Sequence, residues 1–391
     1  MIVHLVNIFI PYVFKRYLKK YNIYRDLHEI DLLGVEIRNL DSELAESARH
    51  IILRNKEICY VKKSDEYPKR VDLLILGSFA IFKDIAKDIV AVGNEDLGYK
   101  LTHLLQNYSS DNNHSLNLKS NVRKFSQTIV MGILNVTPDS FSDGGKYFAD
   151  PSAAVEHGIK LIEQGADIID IGGESTRPGS EEVPVSKEIE RILPVIEGIK
   201  KKNNDACISI DTRKSAVAKA AIKAGAGIVN DVSGGEFDES MFEVCAESKT
   251  PLILMHSKGT PDKMQENPYY DDVVEEIYDY LDNRIKLAEK AGVKNIIIDP
   301  GIGFGKRISD NYELLDRLNE FKGLGKQILI GLSRKTFLGK SLGLDVNERD
   351  DATLAAETLA IRNGADIIRT HEVRNTVQAA KIYRYFQNPD S

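Results

Sequence analysis

Eight short apolar runs in the last two thirds of the chain each end on a residue that can do chemistry. In order, these ends are Asn135, Gly173 with Glu174, Asp211, Asn230 with Asp231, His256, Asp299, Ser333-Arg334-Lys335, and Arg369 with His371. Taken singly, each reads as a loop residue or a helix cap; Asp211, just before "TRKSAVAKAA", is a good capping candidate. Gathered at one mouth, they describe a shared ligand site. Asn135, Arg369 and His371 come from the first and last runs, and Arg177 lies in the loop "GGESTRPGSEE". Such cationic and amide groups suit a phosphate or diphosphate. The Asn135 carbonyl oxygen suits a hard cation such as Mg²⁺, which takes a few protein oxygens alongside substrate phosphates. Behind it, "MGILNVTPDSFSDGG" carries Gly144 and Gly145, so the loop can close over a bound anion and exclude water. The second group, Asp211, Asn230, Asp299 and Lys335, suits a planar heterocycle bearing N–H donors, with the lysine meeting its acceptors. Phe304 in "DPGIGFGK" offers a stacking surface or plain rim packing. That segment is not a phosphate loop of the G-K-[ST] kind, because Arg307 follows Lys306. His256 is expected in a supporting role.

The elements that must carry these residues repeat a phrase. "EQGADIIDIGG", "KAGAGIVNDVS", "KAGVKNIIIDPG" and "RNGADIIRTH" each end a helix on glycine, run through β-branched residues and close on a polar one. Eight strands are predicted, with amphipathic helices such as "AAVEHGIKLIEQ" between most of them. Continuous apolar strands alternating with helices mean a parallel sheet covered on both faces. Eight such units predict a closed (β/α)₈ TIM barrel, with sites at the C-terminal strand ends; an open doubly wound sheet is the alternative. Before the barrel, "VDLLILGS" reads as a strand and "SELAESARHIIL" and "FAIFKDIAKDIVA" as helices, a small α/β domain. The expected division is 1–107 for that domain, 108–126 for a polar linker rich in Asn and Ser, and 127–391 for the barrel.

Composition agrees with a globular chain. Of 391 residues, 42% are hydrophobic and 28% charged, and the net charge of −7 argues against a nucleic-acid partner. Cys59, Cys207 and Cys245 make neither a metal nor a disulfide pattern and read as reduced thiols of a cytoplasmic protein. The start, "MIVHLVNIFIPYVFKRYLKK", is broken by His4, Asn7 and Pro11, short of the ~20 apolar residues of a membrane span. Nor does it have the charge order of a signal peptide. It reads as a strand or docking segment, with a peripheral anchor as the alternative.

The segments "MGILNVTPDSFSDGG", "GGESTRPG", "SIDT", "IVND", "LMHSKGTPDKMQENPYYDDVV", "DPGIGFGK", "GLSRKTFLG" and "IIRTHEV" resemble the dihydropteroate synthase family, in order, from about Thr128 to the C-terminus. The preceding domain resembles the N-terminal extension of long members. The resemblance implies condensation of 6-hydroxymethyl-7,8-dihydropterin pyrophosphate with p-aminobenzoate, giving 7,8-dihydropteroate and pyrophosphate on the way to folate. It implies that Asp211, Asn230, Asp299 and Lys335 hold the dihydropterin, and that Asn135, Arg369 and His371, with Arg177 nearby, hold the pyrophosphate and Mg²⁺. It implies a p-aminobenzoate pocket of Thr176, Pro178, Phe304, Lys335 and Thr336, closed by Phe141. Thr336 stands where the family more often has serine, and keeps the hydroxyl.

No Cys–His or Ser–His–Asp set suggests a covalent enzyme intermediate. The expected reaction is therefore an SN1-like substitution: pyrophosphate leaves, Asp211 and Asp143 stabilise the pterin methylene cation, and the arylamine attacks. An in-line displacement is the alternative. A pterin-dependent methyltransferase of similar barrel, or a non-catalytic pterin-binding protein, remains a competing reading. Family members are often dimers, and the last helices are the expected contact surface of a homodimer.

Overall fold

The computed structural model describes residues 1–23, 33–55, 57–64, 67, 69–109, 115–117, 122–124, 128–137, 150–175, 182–259 and 268–387. The chain divides into two compact units, Met1–Asp111 with Asn319–Gly325, and Asn112–Leu318 with Lys326–Ser391.

The first unit runs β1 (Ile2–Val6), α1 (Pro11–Lys20), β2 (Leu33–Asp41), α2 (Ser42–Arg54), β3 (Ile58–Lys63), β4 (Arg70–Gly77), α3 (Phe79–Ala91) and α4 (Glu95–Ser109). Its sheet has the order β1-β2-β4-β3, every pair antiparallel. The apolar run Leu73–Leu76 is buried on both faces, as its lack of polar alternation implies. Leu73 and Ile75 join Val35 and Ile37 under α2, α3 and α4, while Leu74 and Leu76 face Val13 and Tyr17 of α1. The apolar N-terminus forms β1, with Leu5 and Val6 fully buried.

The stretch expected as a plain linker begins inside α4 and contains a small antiparallel pair, β5 (Ser115–Asn117) with β6 (Val122–Lys124). Backbone pairing needs no apolar periodicity, so composition did not reveal it.

The second unit is the closed barrel. Its strands are β7 (Ile129–Asn135), β8 (Ile168–Gly172), β9 (Ile208–Asp211), β10 (Ile228–Asp231), β11 (Leu252–Met255), β12 (Ile296–Asp299), β13 (Gln327–Gly331) and β14 (Ile367–Thr370). Every neighbour pair is parallel, and β14 closes on β7. The described helices are α5 (Pro151–Glu163), α6 (Val185–Lys202), α7 (Ser215–Ala224), α8 (Ser240–Ser248), α9 (Val273–Lys290), α10 (Ile308–Asp316), α11 (Thr336–Leu342), α12 (Asp350–Arg362) and α13 (Val373–Gln387). The four repeated phrases do end their helices on left-handed glycines: Gly165, Gly225, Gly292 and Gly364 have φ between 100° and 117°.

Inside the barrel, Ile129, Met131, Ile168, Cys207, Ile228, Ile253, Ile297, Leu329 and Ile367 form one buried cluster. This is the floor. Strand side chains alternate, so the residue two positions on faces the same way. The layer above the floor is therefore read directly: Ile168 leads to Asp170, Ile228 to Asn230, Ile297 to Asp299 and Ile367 to Arg369. Cys207 leads through Ser209 to Asp211, and Met131 through Ile133 to Asn135. Apolar floor below and charged layer above follow from one strand period.

Two supports hold this layer. After β12 the chain turns back at Gly301 (φ 70°), whose N–H donates to Asp299 Oδ1 at 2.7 Å. A Cβ at Gly301 would stand 1.8 Å from the His256 carbonyl oxygen. Outside β14, the buried Glu357 of α12 accepts from Thr376 Oγ1 at 2.6 Å. Burial pushes the Glu357 carboxyl up to about 7 against the Thr376 and Thr370 hydroxyls.

Gly301→Ala combines a left-handed backbone with a steric overlap, and is expected to destabilise the barrel by roughly 2–3 kcal/mol or more in urea denaturation. A wild-type midpoint would contradict this account of the turn. Glu357 has a folded pKa above its unfolded one, so its contribution to stability is complete below the unfolded value and is lost as pH rises through about 7. Glu357→Gln should therefore gain on wild type between pH 5 and 8, by up to about 3 kcal/mol. A pH-independent difference in melting would show that the carboxyl is not protonated in the fold.

Candidate active site

The polar strand ends separate by what they touch. Glu174 accepts from Val183 N (2.9 Å) and pairs with Lys214 (3.1 Å), joining the second strand end to the start of α6. Asp231 accepts from Ser233 N, Ser233 Oγ and Gly235 N at 2.6–2.9 Å and shapes its own turn. Arg334, in left-handed conformation (φ 57°), pairs with Asp350 and Glu372, each at 2.8 Å. These three are architectural.

The remaining ends face the barrel mouth. Asn135, Gly172, Asp211 and Asn230 lie in one register row across β7 to β10. Because Gly172 lacks a side chain, the place its Cβ would take lies 3.4 Å from Asn135 Oδ1 and 3.8 Å from Asp211 Oδ2. Asn135 and Asp211 thus border one gap.

Arg369 departs from the expected grouping. Instead of standing apart with Asn135 and His371 as a cationic end, it inserts between carboxylates. Its Nε donates to Asp170 Oδ2 at 2.6 Å and its Nη2 to Asp211 Oδ2 at 2.8 Å. Strand alternation is the reason: Arg369 points to the interior, whereas His371 lies past the strand end, where its Nδ1 is 2.8 Å from Ser333 Oγ. Burial opposes the Arg369 charge, but Asp170 and Asp211 hold its pKa above the ordinary arginine value. Burial raises the Asp211 carboxyl; Arg369 opposes that rise, and Asp170 adds to it.

Asp170 is the residue that strand-end reading missed. It sits mid-strand in β8, is fully buried, and also accepts from Asn230 Nδ2 at 3.0 Å. Its signal was present in "DIIDIGG": Asp170 falls two residues after a floor position, within an otherwise apolar run.

Asp299 closes the far side of the layer. Burial raises its carboxyl, against the Gly301 N–H and the positive charges of Lys335, Lys306 and Arg369. Lys335 Nζ lies 4.0 Å from the Phe304 ring centroid, a cation–π distance. Gly303 permits this, since a Cβ there would stand 2.9 Å from Lys335 Cδ. Thr336 begins α11 and is exposed. Beside it opens a cleft of about 500 Å³ lined by residues including Gly303, Lys335, Thr336 and Phe337.

Lys306, which sequence reading used only to dismiss a phosphate loop, is 4% exposed and has its ammonium turned inward. It donates to Gly301 O (2.7 Å) and Phe304 O (2.9 Å) and lies 3.0 Å from His256 Nδ1. Burial lowers its pKa to about 7. Burial and the two nearby lysines hold His256 neutral, in keeping with a supporting role. Asp143, Phe141, Thr176, Arg177 and Pro178 lie outside the described residues.

Among the described residues there is no group of three or more His, Cys, Asp or Glu side chains able to hold a metal. The donors that border the Gly172 gap are instead an amide oxygen and a carboxylate. Hard oxygen donors in that small number fit Mg²⁺ shared with substrate phosphates. No described helix is long and apolar enough to cross a membrane.

Comparison with known proteins agrees with this geometry. Residues 131–371 match the pterin binding enzyme family. The dihydropteroate synthase of Bacillus subtilis is 46% identical over 258 residues, 66% of this chain and 87% of that protein. A probable bifunctional folylpolyglutamate synthase/dihydropteroate synthase of Haloferax volcanii is 47% identical over 265 residues, 67% of this chain; the chain spans only 31% of that longer protein. In three dimensions, the Xanthomonas albilineans dihydropteroate synthase with 4-aminobenzoic acid superposes with a TM-score of 0.65 at 42% identity, covering 71% of this chain and 99% of that one. A closed barrel with a carboxylate, amide and guanidinium layer on its apolar floor, matched across its strands, places the chain in the pterin-binding enzyme family, among the dihydropteroate synthases.

Proposed function

We infer that the barrel joins 6-hydroxymethyl-7,8-dihydropterin pyrophosphate to p-aminobenzoate, forming 7,8-dihydropteroate and pyrophosphate in folate biosynthesis. The observation that carries this reading is the single layer in which Asp211, Asn230, Asp299 and Arg369 meet, with Lys335 and Thr336 at its rim beside an open cleft. Relatives crystallised with 4-aminobenzoic acid and with 7,8-dihydropteroate support the two substrate classes.

The residues divide the work by their chemistry. Asn230 and Asp299 are acceptors for the N–H edge of a dihydropterin, and Lys335 is a donor to its ring nitrogen or carbonyl. A guanidinium has five N–H donors in a fixed fork. Asp170 and Asp211 each engage one nitrogen of Arg369, which leaves donors for a diphosphate oxygen. His371 and Arg177 add donors to the same anion. Asn135 would hold Mg²⁺, which when bound would supply positive charge to the leaving group.

The reaction is SN1-like. The methylene C–O bond breaks and its electron pair leaves with pyrophosphate. The pterin ring delocalises the methylene cation, and the carboxylates of Asp211 and Asp143 stabilise it electrostatically. The arylamine nitrogen then forms the new C–N bond and releases its proton. Phe304, Thr336, Thr176 and Pro178, with Phe141, are the residues assigned to the arylamine. Reduced Cys59, Cys207 and Cys245 support a cytoplasmic enzyme. Exposed Leu359, Ile382, Tyr385 and Phe386 on α12 and α13 support a homodimer through the last helices.

Mixing both substrates with Mg²⁺ should release pyrophosphate only when p-aminobenzoate is present, with dihydropteroate formed in equal amount. Release without the arylamine would make the protein a hydrolase, and methyl transfer from methyltetrahydrofolate would make it a methyltransferase. Asn135→Ala and Arg369→Ala should lower kcat, each by roughly 10–100-fold, the scale of a lost charge-assisted contact. Asp299→Ala should chiefly raise KM for the pterin by a similar factor. Steady-state kinetics in which Asp299→Ala alters only the arylamine KM would overturn the assignment of that carboxylate.

A further inference from the structure

The mid-strand carboxylate of β8 takes no part in the chemistry above, yet it is bonded to two groups that do. Asp170 is 0% exposed and uses one oxygen, Oδ2, for both Arg369 Nε (2.6 Å) and Asn230 Nδ2 (3.0 Å). These partners come from β14 and β10, two strands away on either side. Its other oxygen, Oδ1, is buried with no hydrogen-bond partner among the described residues. A carboxylate present only for barrel stability would be expected to have both oxygens satisfied, since an unmet buried acceptor is costly.

Two consequences follow from acceptor chemistry. An ionised carboxylate can only accept, so Asn230 must turn its NH₂ toward Asp170 and leave its carbonyl oxygen for the ligand. On Arg369, Asp170 takes Nε while Asp211 takes Nη2, the two nitrogens of one guanidinium edge. Two contacts on one edge fix the plane of the fork, whereas one contact leaves it free to swing about that bond.

We propose that Asp170 is a positioning residue for the substitution reaction. It orients the Asn230 amide as an acceptor for the pterin N–H edge and locks the guanidinium plane of Arg369 for the diphosphate. The proposal rests on the synthase reading for its kinetics but not for its binding arm. It separates Asp170 from Asp211 and Asp299, which face the ligand themselves, and it ties the two halves of the pterin diphosphate to one buried charge.

The test is Asp170→Asn, near-isosteric and free to present NH₂ to Asn230. Direct binding of 6-hydroxymethylpterin should weaken tenfold or more. In turnover, KM for the pterin diphosphate should rise tenfold or more and kcat should fall, while KM for p-aminobenzoate stays within twofold. A general loosening of the barrel would instead raise both KM values, and that result overturns the proposal. Placed in an Asn230→Ala background, Asp170→Asn should add less than a threefold further loss of 6-hydroxymethylpterin binding; placed in an Arg369→Met background it should keep that binding loss but add less than threefold to the loss of kcat. Full multiplication of the binding loss in the first background and of the kcat loss in the second, or wild-type kinetics for the single variant, also overturns it. If Asp170→Asn does not fold, Asp170→Asn with Arg369→Met removes both members of that ion pair and should match Arg369→Met alone in kcat while binding 6-hydroxymethylpterin tenfold or more weakly. A further tenfold loss of kcat in that pair, or unchanged pterin binding, counts against the proposal. Wild-type protein that binds the pterin but forms no product would sink the synthase reading and leave the binding arm intact.

Discussion

Burying a carboxylate inside a barrel is unfavourable by several kcal/mol unless a cation meets it with good geometry. Arg369 meets two, Asp170 and Asp211, and Asp170 in turn holds Asn230. That shared guanidinium makes a charged layer compatible with an apolar floor directly beneath it. Without it, Asp170 would lie uncompensated above Ile168 and its neighbours, and the layer would relax by protonation or rearrangement. Burial raises the Asp211 carboxyl while the Arg369 charge opposes that rise. The same low-dielectric setting strengthens any contact the layer makes with a charged or polar ligand.

On the other side of the mouth the constraint is steric. The turn after β12 approaches the His256 carbonyl so closely that only glycine fits at 301. The Gly301 N–H then pins Asp299, and its carbonyl accepts from Lys306. Lys306 also binds the Phe304 carbonyl, so one buried ammonium holds both ends of the segment that carries the stacking ring. Gly303 leaves room for Lys335 to lie across that ring. Asp299, Phe304 and the lysine across its ring are thus held by one braced loop, and substitutions in "DPGIGFGK" should not be read residue by residue.

The first unit has its own apolar core on both sides of an antiparallel sheet, with Phe82 and Tyr17 among its fully buried side chains. The family match begins at residue 131, past the Met1–Asp111 part of that unit. One of its buried acids, Glu36, receives Tyr21 Oη at 2.7 Å and Lys20 Nζ at 2.9 Å, an arrangement that satisfies charge in the core.

Much of the barrel was legible because strand and helix periods are local. Short apolar, β-branched runs predicted all eight strands, and the glycines that close four of the helices carried their own conformational signal. Polar residues at strand ends marked Asn135, Asp211, Asn230, Asp299, Lys335 and Arg369 before any pairing was known. What local pattern could not settle was which of them touch. The sequence reading set Arg369 with the phosphate groups and could not show that it also meets Asp170 and Asp211. Asp170 escaped notice because it lies inside a strand rather than at its tip, and Lys306 because a lysine in a glycine-rich loop looks solvated. The chain by itself determined the strand count, the floor and the kinds of side chain above it, since these depend on neighbours two to four residues apart. Only the closed barrel decided the pairings and the resulting pKa shifts, because contacts between strands far apart in the chain exist only once the sheet meets itself.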